Sequence, residues 1–476
     1  MRNLSDNNSN LRKIAVIGGG PAGYVAAIRA AQLGAKVTLI EKDTIGGTCL
    51  NRGCIPTKAL LFDAKLFRSV KRSPVFQPLL HEGFNPFKSM MDRKKRVVDE
   101  TVKGVKMLLE SHRVTVRYGQ ADLSGVKQVV LLHREGGRES IDADAIILAT
   151  GSKSKALPNI IPNGESIITS DEALEIEEVP HDVCIVGGGY IGLEFATLFN
   201  TLGANVTVVE ILDGILPGLE IELARNLRRV LEKAGVKVLT NSTVEGLRQE
   251  EEGLTLLVRN PQGIQEVIAE KLLLSVGRVP NLDLDFSKAH VEATSAGIRV
   301  NRRMETAAPD IYAVGDATGG TLLAHVAMEE GIVAAENAME MDRQFDDRLI
   351  PLCVFSYPEV ASIGLTEKEA REREEIKVGR FPFRSNPKAL ISGETEGLIK
   401  VVASRETDEI LGVHVIGPEA SDLISVASCF MMQRGRVKEF CRLIQAHPTT
   451  PEALKEAFLD TDSLGIHILK TLTGHK

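Results

Sequence analysis

The chain has 476 residues, 43% hydrophobic and 25% charged; this composition is ordinary for a globular protein, and the length suggests roughly three domains. A formal net charge of −7 argues against non-specific nucleic-acid binding, which needs a positive face to displace phosphate counterions. No stretch approaches the roughly 20 apolar residues of a membrane span. The polar start MRNLSDNNSNLRK lacks a secretory core and reads as a disordered lead-in, so a cytoplasmic protein is expected.

The first predicted element is a strand at Lys13-Ile14-Ala15-Val16-Ile17, followed by Gly18-Gly19-Gly20-Pro21-Ala22-Gly23. A helical stretch runs on to Leu33, then Gly34-Ala35, then a strand from Val37 to Ile40 that ends in Glu41. A lone GxGxxG is weak evidence, but this one has a strand before it, a helix after it and an acid at the end of the next strand. The first Gly allows the tight turn, the second lets the backbone approach a pyrophosphate, and the third lets the helix pack close. The helix then aims its N-terminal N–H groups at the phosphates, and the acid receives ribose hydroxyls.

Directly after this motif comes Gly46-Gly47-Thr48-Cys49-Leu50-Asn51-Arg52-Gly53-Cys54-Ile55-Pro56-Thr57-Lys58. Six cysteines in the whole chain are too few for a disulfide scaffold. Cys184, Cys353, Cys429 and Cys441 lie in apolar or helical surroundings and read as small packed side chains. Cys49 and Cys54 differ because they share one short Gly-rich loop. If its second half starts a helix, the spacing can bring the sulfurs within disulfide reach. A helix N-terminus also lowers a thiol pKa, and the thiolate is the species that exchanges with disulfides. No His or further Cys stands nearby to complete a zinc set, so no metal is expected.

A strand from Asp144 to Leu148 returns, ending in Ala149-Thr150-Gly151. The first motif then repeats. Val183-Cys184-Ile185-Val186 precedes Gly187-Gly188-Gly189-Tyr190-Ile191-Gly192, a helical stretch to Leu202, Gly203-Ala204, and a strand from Val206 to Val209 ending in Glu210. Gly18, Gly20, Gly23, Gly34 and Glu41 map onto Gly187, Gly189, Gly192, Gly203 and Glu210 at one constant offset. Two structural turns would not predict matched acids, so two bound dinucleotides are expected. Leu272 to Ser275, leading into Val276-Gly277-Arg278-Val279-Pro280-Asn281, and a strand at Ile311 to Val314, ending in Gly315-Asp316-Ala317, look like further returns to these sites. An Asp at a strand's carboxyl end stands where open α/β sheets bind ligands.

GGTCLNRGCIPTK beside GGGPAG, with VGRVPN, YAVGDATG, LAHVAMEEG, PEVASIGLTE, GETEGLIKV, LGVHVIGPEASDLI and AHPTTPEAL, resembles the pyridine nucleotide-disulfide oxidoreductases, most of all their dihydrolipoyl dehydrogenases. The resemblance runs from about Leu11 to about Leu459. It implies an α/β fold with two Rossmann-like dinucleotide-binding domains, for FAD and NAD, and a C-terminal α+β dimerisation domain. The corresponding boundaries are 1–150 for the first part of the FAD domain, 151–275 for the NAD domain, 276–350 for a central segment completing the FAD side, and 351–476 for the interface domain. FAD would be held by Gly18 to Gly23, Glu41, Gly47, Thr48, Lys58, Gly119, Thr150, Gly151, Asp316 and Ala324. NAD would be held by Gly187, Gly189, Ile191, Gly192, Glu210, Val244 and Gly277.

By the same resemblance Cys54 would face the flavin, Cys49 would exchange with substrate, and Lys58 would pair with Glu194 near the ring. His447 and Glu452 would form an acid–base dyad reaching the partner subunit of an obligate homodimer. The substrate would be a dihydrolipoyl group, free or on a lipoyl domain. Glu210, with no Arg nearby, argues for NAD over NADP, because a carboxylate repels a 2′-phosphate. The chain departs from the pattern at Gln445, where a second His is usual, at Arg52, where a small apolar residue is common, and in the basic stretch Met431 to Lys438. A glutathione reductase-like reading is disfavoured by Glu210, and a mercuric reductase-like one by the tail Leu472 to Lys476, which has no paired cysteines. A mainly structural subunit of a 2-oxoacid dehydrogenase complex is disfavoured by the intact Cys49, Cys54, His447 and Glu452 set.

Overall fold

The computed structural model describes residues 11–81, 83–250 and 253–469. Most of the polar lead-in and all of the tail from Leu472 lie outside the described residues.

Alternation of apolar strands with small-residue helices gives two five-stranded parallel sheets. In the first, Lys13–Ile17 lies between Lys36–Glu41 and Ala145–Leu148, with Thr115–Tyr118 and Ile311–Ala313 at the two edges. These central strands are apolar on both faces, as buried parallel strands must be. One face is covered by helix Pro21–Gln32 and helix Ala324–Ala338, which pack on each other through alanines and Gly331. The other face packs on the antiparallel strands Gln120–Gly125, Gln128–Leu132 and Arg138–Asp142.

The second sheet repeats the plan. Asp182–Val186 lies between Asn205–Val209 and Lys271–Leu274, with Lys237–Leu239 and Ile167–Ile168 outside them. Helix Tyr190–Thr201 matches Pro21–Gln32 residue for residue. The antiparallel strands Thr243–Glu250, Gly253–Asn260 and Gly263–Ala269 cover one face. Ser152–Ser154 and Arg278–Pro280 pair antiparallel at the two crossings between the sheets.

The C-terminal part is a five-stranded antiparallel sheet in the order Leu352–Val354, Glu359–Gly364, Ile410–Gly417, Leu398–Ser404, Ile376–Pro382. Its core includes Phe381, Phe383, Phe440 and Phe458, closed by helices Ala420–Met432 and Glu452–Asp460. Among the described residues no helix is long and apolar enough to cross a membrane.

Candidate active site

The carboxyl ends of the first sheet's strands open on a cavity of about 470 Å³, where an open parallel sheet leaves its crevice. Gly18, Gly20, Glu41, Gly47, Thr48, Cys49, Cys54, Gly119, Thr150, Gly151, Asp316 and Ala324 all line it. The glycines divide the work sterically. A Cβ on Gly23 would stand 1.8 Å from the Gly18 carbonyl oxygen, so helix and turn can close only without one. A Cβ on Gly20 would meet nothing nearer than Gly47 Cα at 3.9 Å, which leaves the backbone open to a bound group. No side chain caps the helix that starts at Pro21, so its N-terminal N–H groups are free to receive phosphate.

The Glu41 carboxylate accepts from Gly19 N at 2.6 Å and Asp43 N at 2.7 Å. Asp316 accepts from Ser152 Oγ at 2.5 Å, and Ser152 Oγ in turn accepts from Arg278 Nε at 2.7 Å. These features fit a flavin dinucleotide, with an uncapped helix start for the diphosphate and a carboxylate at each end for hydroxyls.

Cys49 belongs to the short helix Gly47–Arg52, and Cys54 is the first residue of helix Cys54–Arg72. Both are free thiols on the cavity wall. The hydrogen bond between them separates their acidities. It pulls the Cys54 thiol down, with help from Lys58 and against burial, and together with burial pushes Cys49 up. Cys54 is therefore the more acidic thiol of the pair and Cys49 the less acidic. Lys58, one helical turn after Cys54, donates to both carboxylate oxygens of Glu194 at 2.9 and 2.8 Å. Glu194 is buried and also accepts from Phe355 N at 3.1 Å, so one carboxylate ties together three separate parts of the chain. Lys58 lies over the Phe355 ring, 4.9 Å from its centroid, and lines a second cavity of about 450 Å³ rather than the first.

The second motif reproduces the first down to its hydrogen bonds. Glu210 accepts from Gly188 N at 2.6 Å and Leu212 N at 2.9 Å. A Cβ on Gly192 would lie 2.0 Å from Gly187 O, whereas one on Gly189 would point into open space. Ile191 sits on the first turn of the helix and packs on the core beneath it. Val244 packs against the apolar cluster around Leu256 and Val258. Gly277, at φ 107°, accepts from Lys155 N where the two sheets connect.

His447 Nδ1 is 2.9 Å from Glu452 Oε1, and Thr449 N donates to Glu452 Oε2 at 2.7 Å. The Thr449 amide and His447 hold the Glu452 carboxyl below its ordinary range although burial opposes them. The dyad does not line the cysteine cavity of its own chain, and His447 is exposed. Gln445, two residues before it, is half-buried. Arg52 turns to Asp43, with Asp171 at 4.0 Å. Cys429 departs from the expected packed role: it sits on the outer face of helix Ala420–Met432 and is exposed. Sequence reading did not single out Ser152, Arg278 and Phe355 as site residues. Of these only Arg278 carried a signal, through the VGRVPN segment.

The cavity, the two nucleotide motifs and the paired thiols define a two-nucleotide disulfide oxidoreductase. The pyridine nucleotide-disulphide oxidoreductase model matches residues 12–331, and the dimerisation domain of the same family matches residues 350–458. Dihydrolipoyl dehydrogenase of Thermus scotoductus is 42% identical over 467 residues, 95% of this chain and 98% of the relative. One from Bacillus subtilis is 38% identical over 467 residues, with the same two coverages. Among solved structures, LpdA from Mycobacterium tuberculosis superposes with a TM-score of 0.87 at 27% identity, and the HOCl-induced flavoprotein disulfide reductase RclA from Escherichia coli with 0.84 at 28%. Each covers 94% of this chain and 99% of its own. The chain belongs to the pyridine nucleotide-disulphide oxidoreductase family. It is an oxidoreductase enzyme that uses FAD and NAD.

Proposed function

We propose that the chain oxidises dihydrolipoamide to lipoamide, with Cys49, Cys54, His447 and Glu452 as the reacting set. The observation that carries this reading is that both thiols stand on the wall of the cavity formed by Gly18, Gly20, Glu41 and Asp316. His447, held by Glu452, takes the proton from one thiol of the substrate. The resulting thiolate attacks Cys49 Sγ of the Cys49–Cys54 disulfide, and Cys54 Sγ leaves as thiolate. Its lowered pKa suits it as the leaving group, since the thiolate of a more acidic thiol departs faster. The second substrate sulfur then attacks the substrate sulfur of the mixed disulfide, and its proton passes to the departing Cys49 Sγ. Lipoamide departs, Cys49 recovers a thiol, and the cysteine pair has gained two electrons. The cavity lined by Gly18, Gly20, Glu41 and Asp316 would hold FAD, which would supply the two-electron relay from that dithiol to NAD⁺. Lys58 and Glu194 keep the helix that carries Cys54 fixed against the second nucleotide unit.

Gly187, Gly189, Gly192 and Glu210 hold NAD, and the buried carboxylate of Glu210 disfavours a 2′-phosphate. His447 serves the thiol pair of a partner subunit, so the working form is a homodimer, built through residues 351–476. Parts 1–150 and 276–350 form the FAD side, and 151–275 the NAD side. The protein works in the cytoplasm, where a cycling thiol pair can be kept reduced, and its natural dihydrolipoyl group can be free or on a lipoyl domain. Steady-state turnover with dihydrolipoamide and NAD⁺, set against glutathione disulfide and NADPH, tests the reading. Faster turnover of the second pair would sink it.

A further inference from the structure

The segment after Glu210 is held at both ends, and its far end is held by the dimerisation part of the chain. Leu212 N donates to Glu210, and Leu216 N donates to Gly188 O at 2.9 Å. Leu216 sits at φ 52°, a left-handed conformation that a bulky side chain adopts only when its surroundings impose it. The segment ends at Glu220, the buried N-cap of helix Ile221–Lys233. Glu220 Oε1 accepts from Lys400 Nζ at 2.7 Å, and Oε2 accepts from Glu367 N at 2.9 Å.

Lys400, only 2% exposed, also lies 3.0 Å from Glu222 and 2.7 Å from Glu367. Arg380 pairs with both of those carboxylates at 3.0 Å. Ser362, His414, Lys400 and Arg380 are successive cross-strand partners in the C-terminal sheet. They form a polar row that crosses four strands and ends against the helix start. His414 is fully buried between Ser362 Oγ at 2.5 Å and Leu365 O at 3.0 Å. Apolar side chains often replace a buried ion cluster at no cost in stability. What three carboxylates aimed at one ammonium do provide is a single placement of the helix start against the sheet.

We propose that Lys400 is a positioning residue for pyridine-nucleotide binding, pinning Glu220 so that segment 211–219 stays docked on Gly188 beside Glu210. This rests on the reading of Gly187–Gly192 and Glu210 as the NAD site. It makes nucleotide affinity depend on the dimerisation part of the chain, which contributes no residue to that site.

The test uses the FAD-loaded enzyme carrying Lys400→Met, with Lys400→Arg as the conservative variant. Lys400→Met should weaken NADH binding roughly 2–30-fold, the range by which coupling residues remote from a ligand act. The KM for NAD⁺ should rise with it, while the KM for dihydrolipoamide and the flavin content stay unchanged, and Lys400→Arg should restore much of the loss. Should Lys400→Met not fold, Glu222→Gln, at the half-exposed rim of the cluster, should show a smaller change in the same direction. A lowered melting temperature with unchanged NADH affinity would make the cluster merely structural and overturn the proposal. Equal losses in both KM values and in flavin content would overturn it too. Gly192→Ala is the control: if it abolishes NADH binding while Lys400→Met does not alter it, the proposal alone fails. If Gly192→Ala also leaves NADH binding intact, the reading of the site fails and the proposal with it.

Discussion

The two cysteines differ chemically although they share a loop. Cys54 starts a long helix within reach of Lys58, while Cys49 is the member whose proton the pair retains. A free thiol is half ionised near pH 8.5, and a lowered pKa keeps it a thiolate below that. In the two-electron-reduced enzyme, the long-wavelength absorption of a thiolate against the flavin should therefore persist well below pH 8.5 and fade only at lower pH. Cys54→Ser should remove it at every pH. A band that survives in Cys54→Ser would exchange the roles of the two cysteines. For the dyad, general-base contributions run at about 10²–10⁴-fold, so His447→Gln should slow dihydrolipoamide oxidation by that factor. Stopped-flow reduction of the flavin by NADH needs no such proton transfer and should change little. Equal loss of both half-reactions would mean structural damage.

At the level of elements, the same strand–turn–helix unit is built twice with the same contacts, so it should fail twice in the same way. Gly23→Ala and Gly192→Ala each force a methyl group into a carbonyl oxygen, at 1.8 and 2.0 Å. Gly23→Ala should yield protein without flavin, whereas Gly192→Ala should stay yellow and lose NADH binding by fluorescence titration. Helix Ala324–Ala338 carries a second consequence. Glu330 accepts from Gly315 N at 2.6 Å, and burial, with Asp316 beside it, pushes its pKa up to about 7. The folded protein thus keeps a proton there that the unfolded chain gives up near pH 4.5. Folding binds the extra proton, so stability from this group falls as pH rises through that window, by up to ~3 kcal/mol. Glu330→Gln, which keeps an acceptor for Gly315, should flatten the melting temperature between pH 5 and 8. An unchanged slope would show that Glu330 is ionised throughout.

For the whole molecule, the proposed reaction requires a second subunit, since His447 is exposed and does not line the cysteine cavity of its own chain. Mixing inactive Cys49→Ser and His447→Gln homodimers under conditions of subunit exchange should restore dihydrolipoamide oxidation, since one hybrid site has both groups intact. No recovery in proven hybrids would place the dyad's action within one chain. Much of this was legible in the chain order. The two glycine motifs and their terminal acids, the helix start at Cys54 and the Glu five residues after His447 are local patterns, fixed by backbone sterics and short-range hydrogen bonds. Sequence alone therefore determined two strand–turn–helix units, a thiol pair and a His447–Glu452 pair. It could not determine what depends on distant segments meeting: Arg278 on Ser152 and Ser152 on Asp316, Phe355 on Glu194, and Lys400 of the last sheet on Glu220. Such contacts are set by how separate apolar faces pack, and only the tertiary structure decides which buried charges then have to find each other.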